Sequence, residues 1–399
     1  MNYNISDRIN ALQTSTTMDI AAKSIEMKSN GIDLIDLSVG EPDFPTPEHI
    51  KLAAKRALDN NQTKYTLNVG TLELRQAIAK KLLYDNNLQY SPGEIVVSTG
   101  AKQSLFNAIQ VLVNEGDEAI VPTPTYVSYI QMIKLAGGIA GTVPTKEADQ
   151  FKLKPEILLE NITPKTKLLI LCNPSNPTGT VYSPRELKDL AQIIVDKKLF
   201  VLSDEIYEKL IYDFLEFRSI ASFNDEIKKR TVVVNGFSKS YSMTGWRIGY
   251  AAAEEEIMKN MAKLQSHSTS NASSISQAAA LEALSASQEI VEFMRNKFEI
   301  RRDFIFTEIN KIPGLSAIKP EGAFYLFVNV SELLNKQLNG YNFSTSSDLV
   351  IYLLEEAKVS TVPGTAFGAE GFIRISYANS MENLMSAVEK INQAVSKLF

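Results

Sequence analysis

Short runs of β-branched and aliphatic residues alternate with amphipathic helical patterns from about residue 94 onward. The runs occupy residues 94–98, 118–122, 139–143, 167–172, 200–203, 231–235 and 247–253. Several of them are continuously apolar, which is typical of strands in a sheet that is covered on both faces. This alternation predicts an α/β fold with a mostly parallel sheet between layers of helices.

The segments between these runs carry helical spacing of apolar residues, most clearly at 102–114 and 184–197. Ser183 and Pro184 open the second of these segments. We therefore predict that Ser183 caps this helix and that the proline occupies its first turn, where a missing N–H costs nothing.

The pattern changes after about residue 255. A long helical stretch covers approximately residues 275–311, and strand-like runs follow at 323–330 and 372–378. We interpret this part as a second, smaller α+β domain to which residues 1–47 also contribute. A chain of 399 residues is longer than one hydrophobic core usually supports, which agrees with two domains.

Composition narrows the range of partners and compartments. The net charge of −5 gives no reason to expect nucleic acid as a partner. No apolar run approaches the roughly 18 residues that a membrane span needs, and the N-terminus lacks the pattern of a signal peptide. The single cysteine, Cys172, excludes an internal disulfide framework and fits a reducing compartment. We expect a cytoplasmic protein that binds neither membranes nor nucleic acid.

Residues that can carry chemistry follow five of the predicted strands. Ligands of open α/β sheets bind beyond the carboxyl ends of the strands, so these segments are the candidates for a shared site. They are Thr99–Lys102, Thr123–Tyr126, Asn173–Gly179, Asp204–Tyr207 and Gly236–Ser240.

Each candidate also has a purely structural interpretation. The Gly100–Lys102 segment is either a simple strand-to-helix turn or an anion site at a helix N-terminus. Asn173–Gly179 is rich in turn-forming residues. Asp204 suits a helix N-cap, although an acid at the end of an apolar strand needs a cation or donor if it is buried. Lys239 taken alone suits the surface, whereas Arg247 at the start of an apolar run is expected to pair with an anion.

Several common catalytic motifs are missing from the sequence. There is no GxxxxGK[ST] loop, no GxGxxG after a strand, no GxSxG and no HExxH. The two histidines, His49 and His267, argue against a His-dependent triad or a His-rich metal site, and no metal site is expected. Lysine remains as the strongest candidate for a nucleophile.

The stretch SKSYSMTGWRIGY, which contains Lys239, resembles the pyridoxal-phosphate lysine region of the fold-type I aminotransferases. Further blocks of the same family occur in the same order along the chain. They are GEPDFPTP (40–47), STGAKQSLFN (98–107), NPSNPTG (173–179), SDEIYE (203–208) and FIRISYA (372–378). The chain is most similar to the class I bacterial subgroup of aspartate, aromatic and prephenate aminotransferases.

The resemblance implies a fold and an assembly. The fold is α/β, with a mostly parallel seven-stranded sheet that has helices on both faces, plus a smaller α+β domain. The large domain would span residues 48–285, and the small domain would combine residues 1–47 with residues 286–399. A homodimer with shared active sites is implied, because Tyr65 matches a tyrosine that reaches the cofactor phosphate of the neighbouring subunit.

The resemblance also implies a role for each matching residue, with pyridoxal 5'-phosphate as the cofactor. Lys239 matches the lysine that forms the Schiff base and moves the proton, and Asp204 matches the partner of the pyridine nitrogen. Tyr207 and Asn176 match the residues that bind the ring oxygen, and Tyr126 matches the aromatic residue that stacks on the ring. The phosphate cradle would consist of Gly100, Ala101, Lys102, Ser238 and Arg247. Substrate contacts are implied for Gly40, Tyr126, Asn176 and, at the α-carboxylate, Arg374.

The predicted activity is transfer of an α-amino group from an L-amino acid to a 2-oxo acid such as 2-oxoglutarate. Members that prefer acidic donors carry a second cation, and one such lysine aligns with Gln110, which is neutral. Ser15, Thr16 and Thr17 could still bond a carboxylate, so aspartate and aromatic donors both stay open. A β-lyase of the same fold and a non-catalytic effector-binding domain are the alternatives.

Overall fold

The computed structural model describes residues 5–12, 16–338 and 340–399, without the side chains of residues 16–19 and 21. The helices begin and end as follows: α1 Asp7–Asn10, α2 Thr16–Ser29, α3 Glu48–Asp59, α4 Leu72–Asn86, α5 Ala101–Leu112, α6 Ser128–Leu135, α7 Pro155–Asn161, α8 Pro184–Asp196, α9 Asp225–Lys228, α10 Glu255–Ser266, α11 Ser274–Ser285, α12 Glu289–Ile309, α13 Ser346–Tyr352 and α14 Met381–Ser396.

A seven-stranded sheet forms the centre of the molecule. Its strands, after the short β1 (Ile35–Asp36), are β2 Ile95–Ser98, β3 Glu118–Thr123, β4 Ile139–Pro144, β5 Thr166–Cys172, β6 Phe200–Asp204, β7 Thr231–Gly236 and β8 Gly249–Ala252. Their order across the sheet is β2-β8-β7-β6-β5-β3-β4, and only β8 runs antiparallel to its neighbours. The predicted mostly parallel sheet is confirmed, with every predicted run within two residues of a strand.

The continuous apolar runs follow from burial on both faces of this sheet. Val96 and Val232 pack on one face with residues of α5 and α6, and Val97 and Val233 pack on the other face with residues of α4 and α11. Because successive strand residues point to opposite faces, both of which are covered, apolar residues occupy most positions on both faces.

A second, antiparallel sheet lies in the C-terminal part of the chain. Its strands are β9 Ser316–Ala317, β10 Tyr325–Asn329, β14 Val362–Pro363 and β15 Phe372–Ser376, in the order β14-β15-β10-β9. The short strands β11 Gln337–Leu338 and β12 Tyr341–Asn342 pair with each other. β1 pairs in parallel with β13 Val359–Ser360, so the N-terminal segment joins the C-terminal part. Domain boundaries at residues 48 and 285 stay a prediction.

The predicted helix over 275–311 is wrong as one continuous element. Ala286 has an extended backbone (ψ 173°) and ends α11, and α12 starts only at Glu289. α11 packs against α3 and α4, whereas α12 packs against α14 and β10. The break lets the two halves cover different cores.

The start of α8 confirms the predicted cap. The backbone N–H of Glu186 donates to Ser183 Oγ (3.3 Å), and the N–H of Ser183 donates to the Glu186 carboxylate (2.7 Å). This reciprocal pair, with Pro184 as the first helical residue, satisfies donors that the helix itself leaves free.

Within the described ranges, none of the helices has the length and apolar character that crossing a membrane requires.

Candidate active site

A cavity of about 350 Å³ lies beyond the carboxyl ends of the central strands, where the sequence predicts a site. The structure places most of the predicted residues in its wall. Those that line it are Gly40, Ala101, Lys102, Tyr126, Asn176, Asp204, Tyr207, Ser238, Lys239, Arg247 and Arg374.

Lys239 follows β7 and reaches across the cavity floor. Its Nζ donates a hydrogen bond to the carbonyl oxygen of Gly40 and lies 5.8 Å from the centroid of the Tyr207 ring. Burial lowers the pKa of Lys239 to about 8, and the positive charge of Arg374 acts in the same direction, whereas Glu41 opposes it. A substantial fraction of this amine is therefore neutral near physiological pH, which a nucleophile or base requires.

Asp204 ends β6 and is almost completely buried. The Tyr129 hydroxyl donates to its Oδ2 (2.6 Å), and the N–H of Ile206 donates to its Oδ1 (3.3 Å). Burial raises the pKa of Asp204, and these two hydrogen bonds and the charge of Lys239 oppose that rise. No helix follows Asp204 directly, so the N-cap interpretation is wrong. The carboxylate instead faces the cavity.

A second cationic region forms where α5 begins. Gly100 precedes the helix with φ +81°, and Ala101 and Lys102 supply its first turn. The Arg247 guanidinium lies directly over Gly100, and its Nη1 donates to the carbonyl oxygen of Thr244 (2.9 Å). The unpaired N–H groups of a helix N-terminus, together with a guanidinium and an ammonium group, provide the donors and the positive charge that an anion requires.

Arg374 lies in β15 and closes the opposite side of the cavity. It is buried, and its Nη1 and Nη2 donate to Asn176 Oδ1 (2.9 Å) and to the carbonyl oxygen of Ser38 (2.7 Å). Its Nε has no hydrogen-bond partner among the residues that the structure describes. The guanidinium stacks on the Tyr325 ring at 4.3 Å. A buried cation with a free donor is suited to a carboxylate ligand.

Three tyrosines complete the walls. The hydroxyls of Tyr207 and Tyr325 share a hydrogen bond of 2.8 Å, and burial raises the pKa of Tyr207, which keeps this phenol neutral. Tyr126 lies above the cavity with Lys102 Nζ 5.4 Å from its ring centroid. A Cβ atom at Gly40 would collide with the Tyr325 hydroxyl, so only glycine fits there.

Some of the expected residues do not line the cavity. The side chain of Tyr65 is 92% exposed, and Gln110 donates from its amide to the carbonyl oxygen of Met132 (3.2 Å). The geometry therefore gives Gln110 no contact with a ligand in this cavity. Ser15 and the side chains of Thr16 and Thr17 lie outside what the structure describes.

Sequence reasoning missed several lining residues. Tyr129, Cys172, Thr244, Glu41 and Tyr325 all line the cavity, and Tyr129 contacts Asp204 directly. One available signal was the spacing of Tyr126 and Tyr129, because residues three apart near the start of a helix lie on the same side. The others resemble ordinary core or turn residues until the fold brings them together.

Comparison with known proteins identifies similar chains over almost the whole length. The family model described as aminotransferase class I and II matches residues 32–391. An aspartate aminotransferase of Bacillus subtilis is 46% identical over 393 residues, covering 98% of this chain and 99% of the relative. A probable aspartate/prephenate aminotransferase of Aquifex aeolicus is also 46% identical, with both chains covered completely.

The solved structures agree with this result. The crystal structure of the aspartate aminotransferase from Rhizobium meliloti superposes with a TM-score of 0.96 at 41% identity, and the match covers 100% of both chains. The fold described above has thus already been observed experimentally.

Proposed function

Because this chain belongs to the class I and II aminotransferase family, we propose that it moves the α-amino group of L-aspartate to a 2-oxo acid such as 2-oxoglutarate, with pyridoxal 5'-phosphate as cofactor. One observation carries the proposal: Lys239, Asp204 and Arg374 line the same cavity, together with an anion site at the start of α5. These four features match the aldehyde, the ring nitrogen and the phosphate of the cofactor and the α-carboxylate of the substrate.

The residues present fit the cofactor. Its aldehyde needs an amine that is partly neutral, which Lys239 supplies. Its phosphate needs the anion site made by Gly100, Lys102 and Arg247, and its ring nitrogen needs a buried acid such as Asp204. A Cβ atom at Gly100 would collide with the Arg247 guanidinium, so the glycine allows other groups to approach the backbone closely at this point.

The cofactor, when bound, supplies an electron sink that makes the donor Cα–H acidic. The chain contributes the proton chemistry. Nζ of Lys239 takes the proton from the donor Cα and returns a proton to the corresponding carbon when the 2-oxo acid is aminated. Asp204 keeps a negative charge beside the position of the ring nitrogen and thereby favours its protonated form.

Arg374 orients the substrate. Its fork binds both oxygens of an α-carboxylate, and the hydrogen bond to Asn176 fixes the plane of the guanidinium. Tyr207 and Asn176 offer a hydroxyl and an amide to the ring oxygen of the cofactor, and Tyr126 offers its ring face. Gly40 accepts a hydrogen bond from Lys239, which holds this lysine in the cavity of the cofactor-free protein.

The choice of donor rests on the relatives and on the residues that line the cavity. Aspartate is supported by the names of the relatives. The cavity also carries Val39, Leu105 and Tyr126, which would accommodate an aromatic donor. An aromatic amino acid is therefore the second candidate donor.

We include a homodimer in the proposal. Tyr65 is the supporting residue, because its side chain is almost fully exposed and is available to a second copy of the chain. The measurement is a molar mass by light scattering, combined with the cofactor affinity of Tyr65→Phe. A molar mass equal to that of one chain would contradict the proposed homodimer. A cofactor affinity of Tyr65→Phe equal to that of the wild type would also contradict it.

We also keep a cytoplasmic location as part of the proposal, since one cysteine in 399 residues suits a reducing compartment.

The test of the function compares amino donors at fixed 2-oxoglutarate. We expect kcat/KM to be highest for L-aspartate, and we expect Lys239→Ala to lose both the transamination and the visible absorption that follows addition of pyridoxal phosphate. The matched control is Lys209→Ala, which removes a lysine that pairs with Asp85 outside the cavity (2.7 Å). Release of pyruvate and ammonia without a 2-oxo acid acceptor would instead support a β-lyase.

A further inference from the structure

Tyr129 joins the two groups that would contact the cofactor ring. It lies in the first turn of α6 and is completely buried. Its hydroxyl donates to Asp204 Oδ2 at 2.6 Å, which is the length of a charge-assisted O–H···O bond. Its ring makes an edge-to-face contact with the ring of Tyr126, with centroids 5.5 Å apart and planes at 84°. One side chain thus contacts both the acid and the stacking ring.

Apart from the Tyr129 hydroxyl, few groups near Asp204 can hold its carboxylate by a hydrogen bond. Its Oδ1 accepts only the long bond from the N–H of Ile206 (3.3 Å) in the described chain. Cys172 stands opposite Asp204 in the neighbouring strand β5, and its thiol lies against the Tyr129 hydroxyl. A thiol is a weak hydrogen-bonding group, so Tyr129 provides the strong bond that fixes this carboxylate.

We propose that Tyr129 is a positioning residue for transamination: its hydroxyl holds the Asp204 carboxylate ionised and oriented toward the ring nitrogen, and its ring supports Tyr126. This inference rests on the proposed function. It assigns a catalytic consequence to a tyrosine that does not itself need to touch the substrate.

The hydrogen bond from Tyr129 affects how readily Asp204 takes up a proton. A buried carboxylate that loses a donor becomes more basic, because its negative charge is less well compensated. A more basic Asp204 draws the shared proton away from the ring nitrogen and weakens the electron sink. A ring nitrogen that carries less positive charge also opposes protonation elsewhere in the bound cofactor less strongly. Removing the Tyr129 hydroxyl should therefore slow the chemical step and move the pH midpoint of the cofactor spectrum upward.

The first test compares Tyr129→Phe with the wild-type holoenzyme. We expect kcat to fall about tenfold with little change in KM, and the pH midpoint of the visible absorption of the bound pyridoxal phosphate to rise by about 0.5 to 1 unit. The matched control is Tyr352→Phe, which removes another buried hydroxyl, one that donates to the carbonyl oxygen of Ala394 (3.0 Å). We expect neither kcat nor the midpoint to change in that variant.

The second test separates positioning from general packing. In the Asp204→Ala background there is no carboxylate for Tyr129 to hold, so adding Tyr129→Phe should leave the spectral midpoint unchanged. An equal shift in both backgrounds, or no shift in the wild-type background, would overturn the inference. If Lys239→Ala still transaminates, the proposed function fails first. If only the Tyr129 results disagree, the function stands and this inference falls.

Discussion

A Cβ atom built on Gly100 would lie 2.5 Å from Nη2 of Arg247, so the absence of a side chain at residue 100 is what allows this guanidinium to reach the start of α5. The two residues are 147 positions apart in the chain. They come together because β8, which follows Arg247, pairs with β2, which precedes Gly100.

Gly100→Ala should weaken cofactor binding. The new methyl group displaces Arg247 from the anion site, and we expect the Kd for pyridoxal phosphate to rise about tenfold as a charge-assisted contact is lost. Gly116→Ala is the matched control, because Gly116 has the same φ of +81° but nothing within 4 Å of its Cβ position. Both variants place an alanine at positive φ, and Gly100→Ala carries the additional strain of ψ 158°, a combination that essentially only glycine adopts. Equal Kd values in the two variants would refute the role assigned to this contact.

Lys239 should make the stability of the cofactor-free protein depend on pH. The pKa of Lys239 is about 8 in the folded chain and 10.5 in its ordinary state. Between these values the unfolded chain binds a proton that the folded chain does not, so stability rises with pH. Below pH 8 both states are protonated, and the cost of burying the charge is constant.

The comparison uses Lys239→Met, which keeps an apolar stem of similar length but cannot titrate. We expect the free energy of unfolding of Lys239→Met to exceed that of the wild type at pH 7. This difference should shrink by roughly 3 kcal/mol as the pH approaches 10.5. Urea unfolding of both cofactor-free proteins at several pH values measures this difference. An advantage that stays constant across this range would show that Lys239 has an unshifted pKa.

Arg374→Lys should impair substrate binding more than chemistry. Lysine keeps the charge but cannot form the two-pronged contact, so we expect KM to rise about 100-fold for every amino donor and 2-oxo acid, with a smaller effect on kcat. Arg302→Lys serves as the control, since Arg302 makes a two-pronged contact with Asp213 (2.7 and 2.9 Å) and does not line the cavity. That variant should lose stability and keep its KM. A rise restricted to acidic donors would place Arg374 at the wrong carboxylate.

The central sheet and much of the site were accessible from sequence because they depend on local signals. Apolar runs mark buried strands, and the residues after them fall at one edge of the sheet by topology alone. The break at Ala286 was not accessible, because Ala, Ser and Gln at 286–288 do not forbid a helix. It is tertiary packing of α11 and α12 on different partners that separates them.

Tyr129 and Tyr325 illustrate what sequence could not show about the site. Each lies in an apolar stretch and resembles a core residue, and both are in fact buried. Their hydroxyls become functional candidates only because the fold places Asp204 and Tyr207 within bonding distance. Arg247 shows the reverse error: the sequence placed it in a strand, whereas it adopts a left-handed turn (φ +51°) two residues before β8.

The pairing of β2 with β8 has a consequence for the order of folding. Among the residues that the structure describes, β2 is an edge strand that pairs only with β8, about 150 residues later in the chain. A growing polypeptide that has passed residue 112 already contains Gly100 and all of α5, but the edge of the sheet stays incomplete until residues 249–252 have been made. Such long-range pairing closes late, because the chain entropy of the loop must be lost first. Partly synthesised chains therefore lack the strand pairing that brings Arg247 to Gly100, and the proposed cofactor site forms only in molecules whose central sheet is complete.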